Sequence, residues 1–230
     1  MKLLRKLAKL ARRETYRRGW RRAQRSIFRL PFEPVLAGID QHRLLEIQAR
    51  HANSPYAKYA DVDRWLRVNR ERVQDLRLHR ASPQRVLDLG CGGGFFLFIL
   101  KHFEHSVLGL DIDESPLFRE LLEAFGVPRT VSRIRPFQPL PNFQHQFDWI
   151  TAFSIGFDRD HATNSRWGSR EWDYLLRDLQ SRLVPGGKIY LTLNPLPTGE
   201  YLTAELRDFF ARRGGDIERE RVFFKRGLRG

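Results

Sequence analysis

VLDLGCGGGFF, residues 86–96, holds an apolar run too short for a helix, then four glycines within residues 90–94, then the start of a second apolar run. The first part fits a buried strand that carries Asp88 to its end. The glycines let the chain turn sharply and let a ligand approach the backbone with no side chain in the way. The second run, from Phe95, opens a helix. A single Gly-x-Gly is a weak pattern, and its weight here comes from context. It follows a strand, precedes a helix, and is succeeded by a second strand, SVLGLDI (106–112), whose Asp111 lies 21 residues beyond Gly90. An ionised Asp is acceptor-only, so at a strand end it suits two vicinal ribose hydroxyls, both of which donate.

Outward from this stretch, β-rich runs alternate with helical ones. TVSRI (130–134), FDWITAF (147–153) and KIYLTLN (188–194) read as further strands, and helices fit at about 94–103, 115–125, 169–183 and 200–212. Strands separated by helices argue for a parallel sheet with right-handed crossovers. The predicted class is α/β: a doubly wound, mostly parallel Rossmann-like sheet of six to seven strands with helices on both faces, plus an N-terminal helical extension. DIERERVFFK (216–225) supplies one clear strand, which favours six. Upstream, Val62, Trp65, Leu66, Asn69, Val73 and Leu76 recur at helical spacing behind Asp61 and Asp63, and residues 38–50 add a short helix. The expected division is a basic amphipathic extension over 1–32, a connector with packing helices over 33–79, and a cofactor-binding domain over 80–230.

The glycine loop and Asp111 alone fit NAD as well as S-adenosylmethionine. A dinucleotide fingerprint begun at Gly90 would need glycine where Phe95 stands, and Phe95 with Phe96 would crowd a pyrophosphate at the helix start. The set Asp88, Gly90, Gly92 and Gly94 resembles the first motif of class I S-adenosylmethionine-dependent methyltransferases. Asp111 resembles that family's ribose-binding acid, FDWITAF its fourth strand, and LVPGGKIYLTLN (183–194) the PGG turn before its fifth. The resemblance implies S-adenosyl-L-methionine as cofactor, with Asp88, Gly90, Cys91, Gly92, Gly94, Asp111, Ile112, Ile134 and Phe153 around it. Where many members carry an acid for the adenine amino group, this chain reads SRIRPFQPLP, so that contact falls to backbone and apolar groups near Ile134 to Phe137. Cys91 reads as a small loop residue, since nothing nearby would activate a thiol.

In an open α/β sheet ligands bind beyond the carboxyl ends of the strands. The segment after the fourth strand, SIGFDRDHATNSRWGSREW (154–172), is long for a simple connection and rich in Asp, His, Asn and Trp. His161, Asp158 and Asn164 are the candidate catalytic residues, Asp160 a further acceptor contact, and Trp167 a wall. Trp172 reads as a core anchor of the next helix. No Asn/Asp-Pro-Pro-aromatic tetrapeptide follows the fourth strand; Asn194-Pro195 follows the fifth. The expected reaction is methyl transfer to an O or N atom of an unidentified acceptor, a small molecule, lipid or glycan-related compound. The alternatives are an RNA-modifying methyltransferase anchored by its basic arm, and a non-catalytic basic-helix binding protein with a degenerate cofactor fold.

The net charge of +14 is concentrated: residues 1–32 hold twelve Lys and Arg against Glu14, or +11. Leu3, Leu7, Leu10, Trp20, Ile27 and Phe28 lie among these cations. The pattern fits a helix at an anionic membrane surface, with nucleic acid as the less favoured partner and packing of the apolar stripe on the domain as the third reading. A single cysteine, no apolar run of about 20 residues and no secretory pattern lead to the expectation of a cytoplasmic protein, peripheral at most at the inner membrane surface. No metal site is expected.

Overall fold

The computed structural model describes residues 19–21, 23–159 and 165–228. One seven-stranded sheet is built from β1 (Arg85–Leu89), β2 (Ser106–Asp111), β3 (Arg129–Val131), β4 (Phe147–Ile155), β5 (Leu183–Leu193), β6 (Asp216–Glu218) and β7 (Arg221–Phe224), in the order β3-β2-β1-β4-β5-β7-β6. Strands β1 to β5 pair in parallel, and β7 runs antiparallel to both β5 and β6. The helices are α1 (Glu33–Ala37), α2 (Gln41–Arg50), α3 (Val62–Asp75), α4 (Phe95–His102), α5 (Pro116–Phe125), α6 (Ser169–Ser181) and α7 (Ala204–Arg212). From β1 the chain steps outward to β3 and then returns to β4 on the other side of β1. That reversal opens a crevice beyond the carboxyl ends of β1 and β4.

Alternation along each strand divides the core in two. Leu87, Leu89, Ile150, Ala152, Ile189 and Leu191 point to one face, where Trp172, Leu176 and Phe210 of α6 and α7 cover them. Val86, Trp149 and Tyr190 point to the other, against Leu66 and Val73 of α3, Leu97 and Leu100 of α4, and Leu117 and Leu121 of α5. Helix starts are set locally. Asp61 and Thr203 accept from the backbone N–H groups of Arg64 and Leu206, and Ser115 from that of Phe118, ahead of Pro116.

Three expectations need correction. DIERERVFFK is a hairpin and not one strand: β6 and β7 flank Arg219, which takes a left-handed φ of 52°. No Gly, Asn or Pro marks that turn, so its sequence carries no turn pattern. The seventh strand is present. The third strand ends at Val131, well short of Ile134, and α7 begins at Ala204 and not near residue 200.

The described part of the arm packs on the domain. Residues 19–21 and 23–27 are helical. Arg25 forms a two-pronged pair with Asp75 (2.7 and 2.8 Å) and also bonds Glu71, while Arg21 grips Glu218 on β6. Gln74 donates to the carbonyls of Arg25 and Phe28, and Leu30, Phe32 and Val35 are buried. Ion pairs, hydrogen bonds and apolar burial thus anchor it together. Trp20 and Ile27 remain 54% and 68% exposed.

Gly109 on β2 is fixed by sterics: a Cβ there would lie 2.5 Å from the Cys91 sulfur and 3.1 Å from its Cβ. Gly109→Ala is therefore expected to destabilise the protein by about 1–3 kcal/mol through overpacking. Cys91→Ala should recover part of that loss in the double variant. Denaturant titration of both singles and the double checks this, and simple additivity would refute the contact.

Candidate active site

A cleft of about 1080 Å³ lies at the crevice between β1 and β4. Its floor is the glycine loop. The Gly90 N–H donates to the Leu110 carbonyl at 2.7 Å, which folds the loop back onto β2. Asp111, at the end of β2, accepts from the Gly92 N–H at 2.6 Å through one oxygen and from the Ile112 N–H at 2.7 Å through the other. Burial pushes the Asp111 pKa up against these donors. Gly90 adopts a left-handed φ of 72°, and a Cβ there would meet no atom within 4 Å, so its open side faces the cleft.

Asp88 stands beneath the loop, almost wholly buried, and accepts a 2.6 Å hydrogen bond from the Thr151 hydroxyl on β4. Desolvation raises its pKa to about 7, with Thr151 and the nearby Arg72 opposing the shift. Burial also drives the Cys91 thiol well above its ordinary pKa, which leaves it unreactive as a nucleophile.

The wall opposite comes from α3 and the turn before it. Trp65, Asn69 and Arg72, spaced four and three apart, present one helical face to the cleft, and Tyr59 stacks on Trp65 at 4.8 Å. Arg72 donates to the Asn69 side-chain oxygen at 2.9 Å, and its guanidinium lies 4.4 Å above the Phe153 ring. No carboxylate is within salt-bridge distance of it among the described residues. Burial lowers its pKa, yet a guanidinium keeps its charge, so Arg72 brings an unneutralised cation to the wall.

Of the residues singled out from the sequence, Asp88, Gly90, Cys91, Gly92, Asp111, Ile112, Ile134 and Phe153 all line this cleft, as does Trp167. Gly94 does not. It is the residue before α4, where a left-handed φ of 75° and a Cβ position 2.6 Å from Leu122 both call for glycine. Asp158 is buried, paired with Arg166 through both oxygens at 2.9 Å, and is not among the residues lining the cleft. Arg166 also reaches the Pro195 carbonyl, so the pair clamps the loop after β4 to the end of β5. Trp172 is fully buried in the core. Asp160, His161 and Asn164 lie outside the described residues. Tyr59, Trp65, Asn69, Arg72 and Ser154 were missed. The i, i+4, i+7 spacing of Trp65, Asn69 and Arg72 marks one face of a helix, but from the sequence Trp65 and Asn69 read as part of its packing set and Arg72 as one of its solvated cations. No group of three or more potential metal ligands occurs among the described residues.

No family model matches the chain. It is 28% identical over 119 residues to the ubiquinone biosynthesis O-methyltransferase of Pseudomonas aeruginosa, a match covering 50% of this chain and 47% of that protein. The chain thus spans about half the length of the curated relatives it matches. Among solved structures, an O-methyltransferase family protein from Burkholderia thailandensis superposes with a TM-score of 0.50 at 13% identity, over 80% of this chain and 63% of that one. A SAM-bound amino pentose methyltransferase from Micromonospora echinaspora gives a TM-score of 0.41 at 24% identity, over 59% and 53%. The fold is the Rossmann-like α/β fold shared with the Burkholderia protein.

Asp88 links the cleft to stability. A carboxyl raised from 3.8 to about 7 binds its proton more tightly folded than unfolded. Its contribution is complete below the unfolded value and is lost as pH rises through 7. Asp88→Asn keeps an acceptor for Thr151 and cannot ionise. In thermal melts of ligand-free protein the variant should come closest to the wild type below about pH 4, gain on it as pH rises from about 4 to 7, and exceed it by a few kcal/mol at about pH 8. A stability difference that does not change with pH would contradict this.

Proposed function

We propose that the chain is an S-adenosylmethionine-dependent methyltransferase. The observation that carries the reading is the convergence, in one cleft at the strand-order reversal, of Asp88, the bare glycine backbone, Asp111 and the unneutralised Arg72. These groups fit the zwitterionic cofactor: Asp88 suits its ammonium, Arg72 its carboxylate and Asp111 the ribose hydroxyls, while Ile134 and Pro136 offer apolar contact for the adenine. Such a cofactor supplies an electrophilic methyl group on a sulfonium centre. The chain's own task is then to align the acceptor and exclude water, and alignment of this kind is worth up to about 7–11 kcal/mol.

The acceptor is proposed as an oxygen or nitrogen atom of a small molecule, lipid or glycan-related compound. An oxygen acceptor is supported by the partial match to the O-methyltransferase of ubiquinone biosynthesis. His161, in the loop after β4, is the proposed proton acceptor, ahead of Asn164; Asp158 is committed to Arg166. The intact acid and glycine set speaks against a degenerate, non-catalytic fold. Calorimetric titration should show binding of S-adenosylhomocysteine and not of NAD. Asp111→Ala and Arg72→Ala should each weaken that binding about tenfold or more, as expected for hydrogen bonds to charged groups. NAD binding without binding of either sulfur nucleoside would remove the proposal.

The arm supports a second reading, peripheral attachment to an anionic membrane, with nucleic acid less favoured. The specific observation is that Arg21 and Arg25 fasten the helix by one face while Trp20 and Ile27 stay exposed. No described helix is long and apolar enough to cross a membrane. Each cation near an anionic surface contributes about 1 kcal/mol, and exposed apolar groups add insertion. The full chain should co-sediment with anionic and not neutral vesicles. Changing Leu3, Leu7 and Leu10 to Ser, or Trp20 and Ile27 to Ser, should reduce that fraction. Equal sedimentation of all three proteins, or binding to RNA without binding to vesicles, would overturn membrane attachment.

A further inference from the structure

Ser154, near the end of β4, carries a left-handed φ of 54°, a conformation that residues other than glycine adopt at a cost. Three hydrogen bonds from the end of β5 and beyond hold it there. Its N–H donates to the Thr192 hydroxyl at 2.7 Å, and the Asn194 side-chain amide donates to the carbonyls of Ser154 (3.1 Å) and Ile155 (3.0 Å). The β4–β5 register slips between Ala152 and Ile155, so Ser154 sits in an irregularity of the ladder. Strain maintained by several converging bonds marks a placement that the surrounding structure enforces.

That placement faces the cleft. Leu89 is level with Ala152 in the parallel register, so the chain at Phe153 and Ser154 stands across from the start of the glycine loop. Ser154 lines the cleft, and its hydroxyl is 3.5 Å from an Arg72 nitrogen that would donate to it. A serine that accepts from Arg72 still has its own proton to donate. A guanidinium without a carboxylate and a hydroxyl donor, side by side, are the two halves of a carboxylate site.

We propose that Ser154 is a carboxylate-binding residue, held in a strained turn by Thr192 and Asn194 as positioning residues, and that with Arg72 it takes the amino-acid carboxylate of the cofactor. This rests on the cofactor reading given above. The contact transfers no proton; it fixes the amino-acid end of the ligand relative to the glycine loop.

The test compares S-adenosylhomocysteine with its decarboxylated analogue, which keeps the adenine, ribose and ammonium and lacks only the carboxylate, by calorimetric titration of the full chain. Ser154→Ala and Ser154→Gly should both weaken S-adenosylhomocysteine about tenfold and leave the decarboxylated analogue within about twofold, since the lost hydrogen bond serves the carboxylate alone. Ser154→Gly alone should melt higher than the wild type, by about 2 °C or more, because glycine relieves the left-handed strain and alanine does not. Binding of both nucleosides weakened alike, or of neither, overturns the assignment, as does a Ser154→Gly variant that melts lower. Wild-type protein that fails to bind S-adenosylhomocysteine overturns the cofactor reading, and this one with it.

Discussion

The hydrogen bonds that tie the glycine loop to β2 are the constraint on which the rest of the site depends. Gly90 donates to the Leu110 carbonyl and Gly92 to the Asp111 carboxylate, so loop and strand end form one unit before any ligand arrives. This union requires β1 and β2 to be adjacent and in register, and it requires Gly109 to leave room for Cys91. It fixes Asp111 at the cleft edge, where its oxygens are already turned by backbone donors. A site assembled in this way loses little conformational freedom on binding.

The unit has a cost, visible as charge that the protein alone does not neutralise. Asp88 is buried with only a threonine hydroxyl as a direct side-chain partner, and Arg72 faces the same cleft with an amide oxygen and an aromatic ring. Buried charges without ionic partners destabilise a fold, and proteins keep them where a ligand completes the pairing. Acid and cation together describe the complement of a zwitterion. The Asp158–Arg166 pair is the contrasting case: its acid is buried and matched through both oxygens, and the pair holds two loops together.

Helix α3 joins the site to the basic arm. One of its faces gives Trp65, Asn69 and Arg72 to the cleft, while Glu71 and Asp75 bind Arg25. Asp75 also receives Arg221 from β7 at 3.2 Å, so arm, helix and sheet edge meet at one carboxylate. Isolated exposed ion pairs contribute little, but a half-buried cluster of this kind fixes orientation. The described arm is therefore part of the wall behind the cleft.

Local chemistry was enough to read the glycine loop, Asp88, Asp111, the succession of β1 to β5 along the chain and the core role of Trp172, because strand periodicity, glycine and capping residues act over a few neighbours. The turn at Arg219 was not readable, since its left-handed conformation is imposed by the pairing of β6 with β7 and has no glycine to announce it. Asp158 looked like a base only because its partner lies eight residues on, across a loop whose path sequence does not state. Arg72 looked like one cation among many on an amphipathic helix, and Ser154 like an ordinary end of a strand. Sequence by itself determined which backbone could bend and which carboxylates would end strands. Tertiary structure decided which charges would go unpaired and which residue would be strained, because those properties belong to groups brought together from α3, β4 and β5 and exist only once the sheet has closed around the cleft.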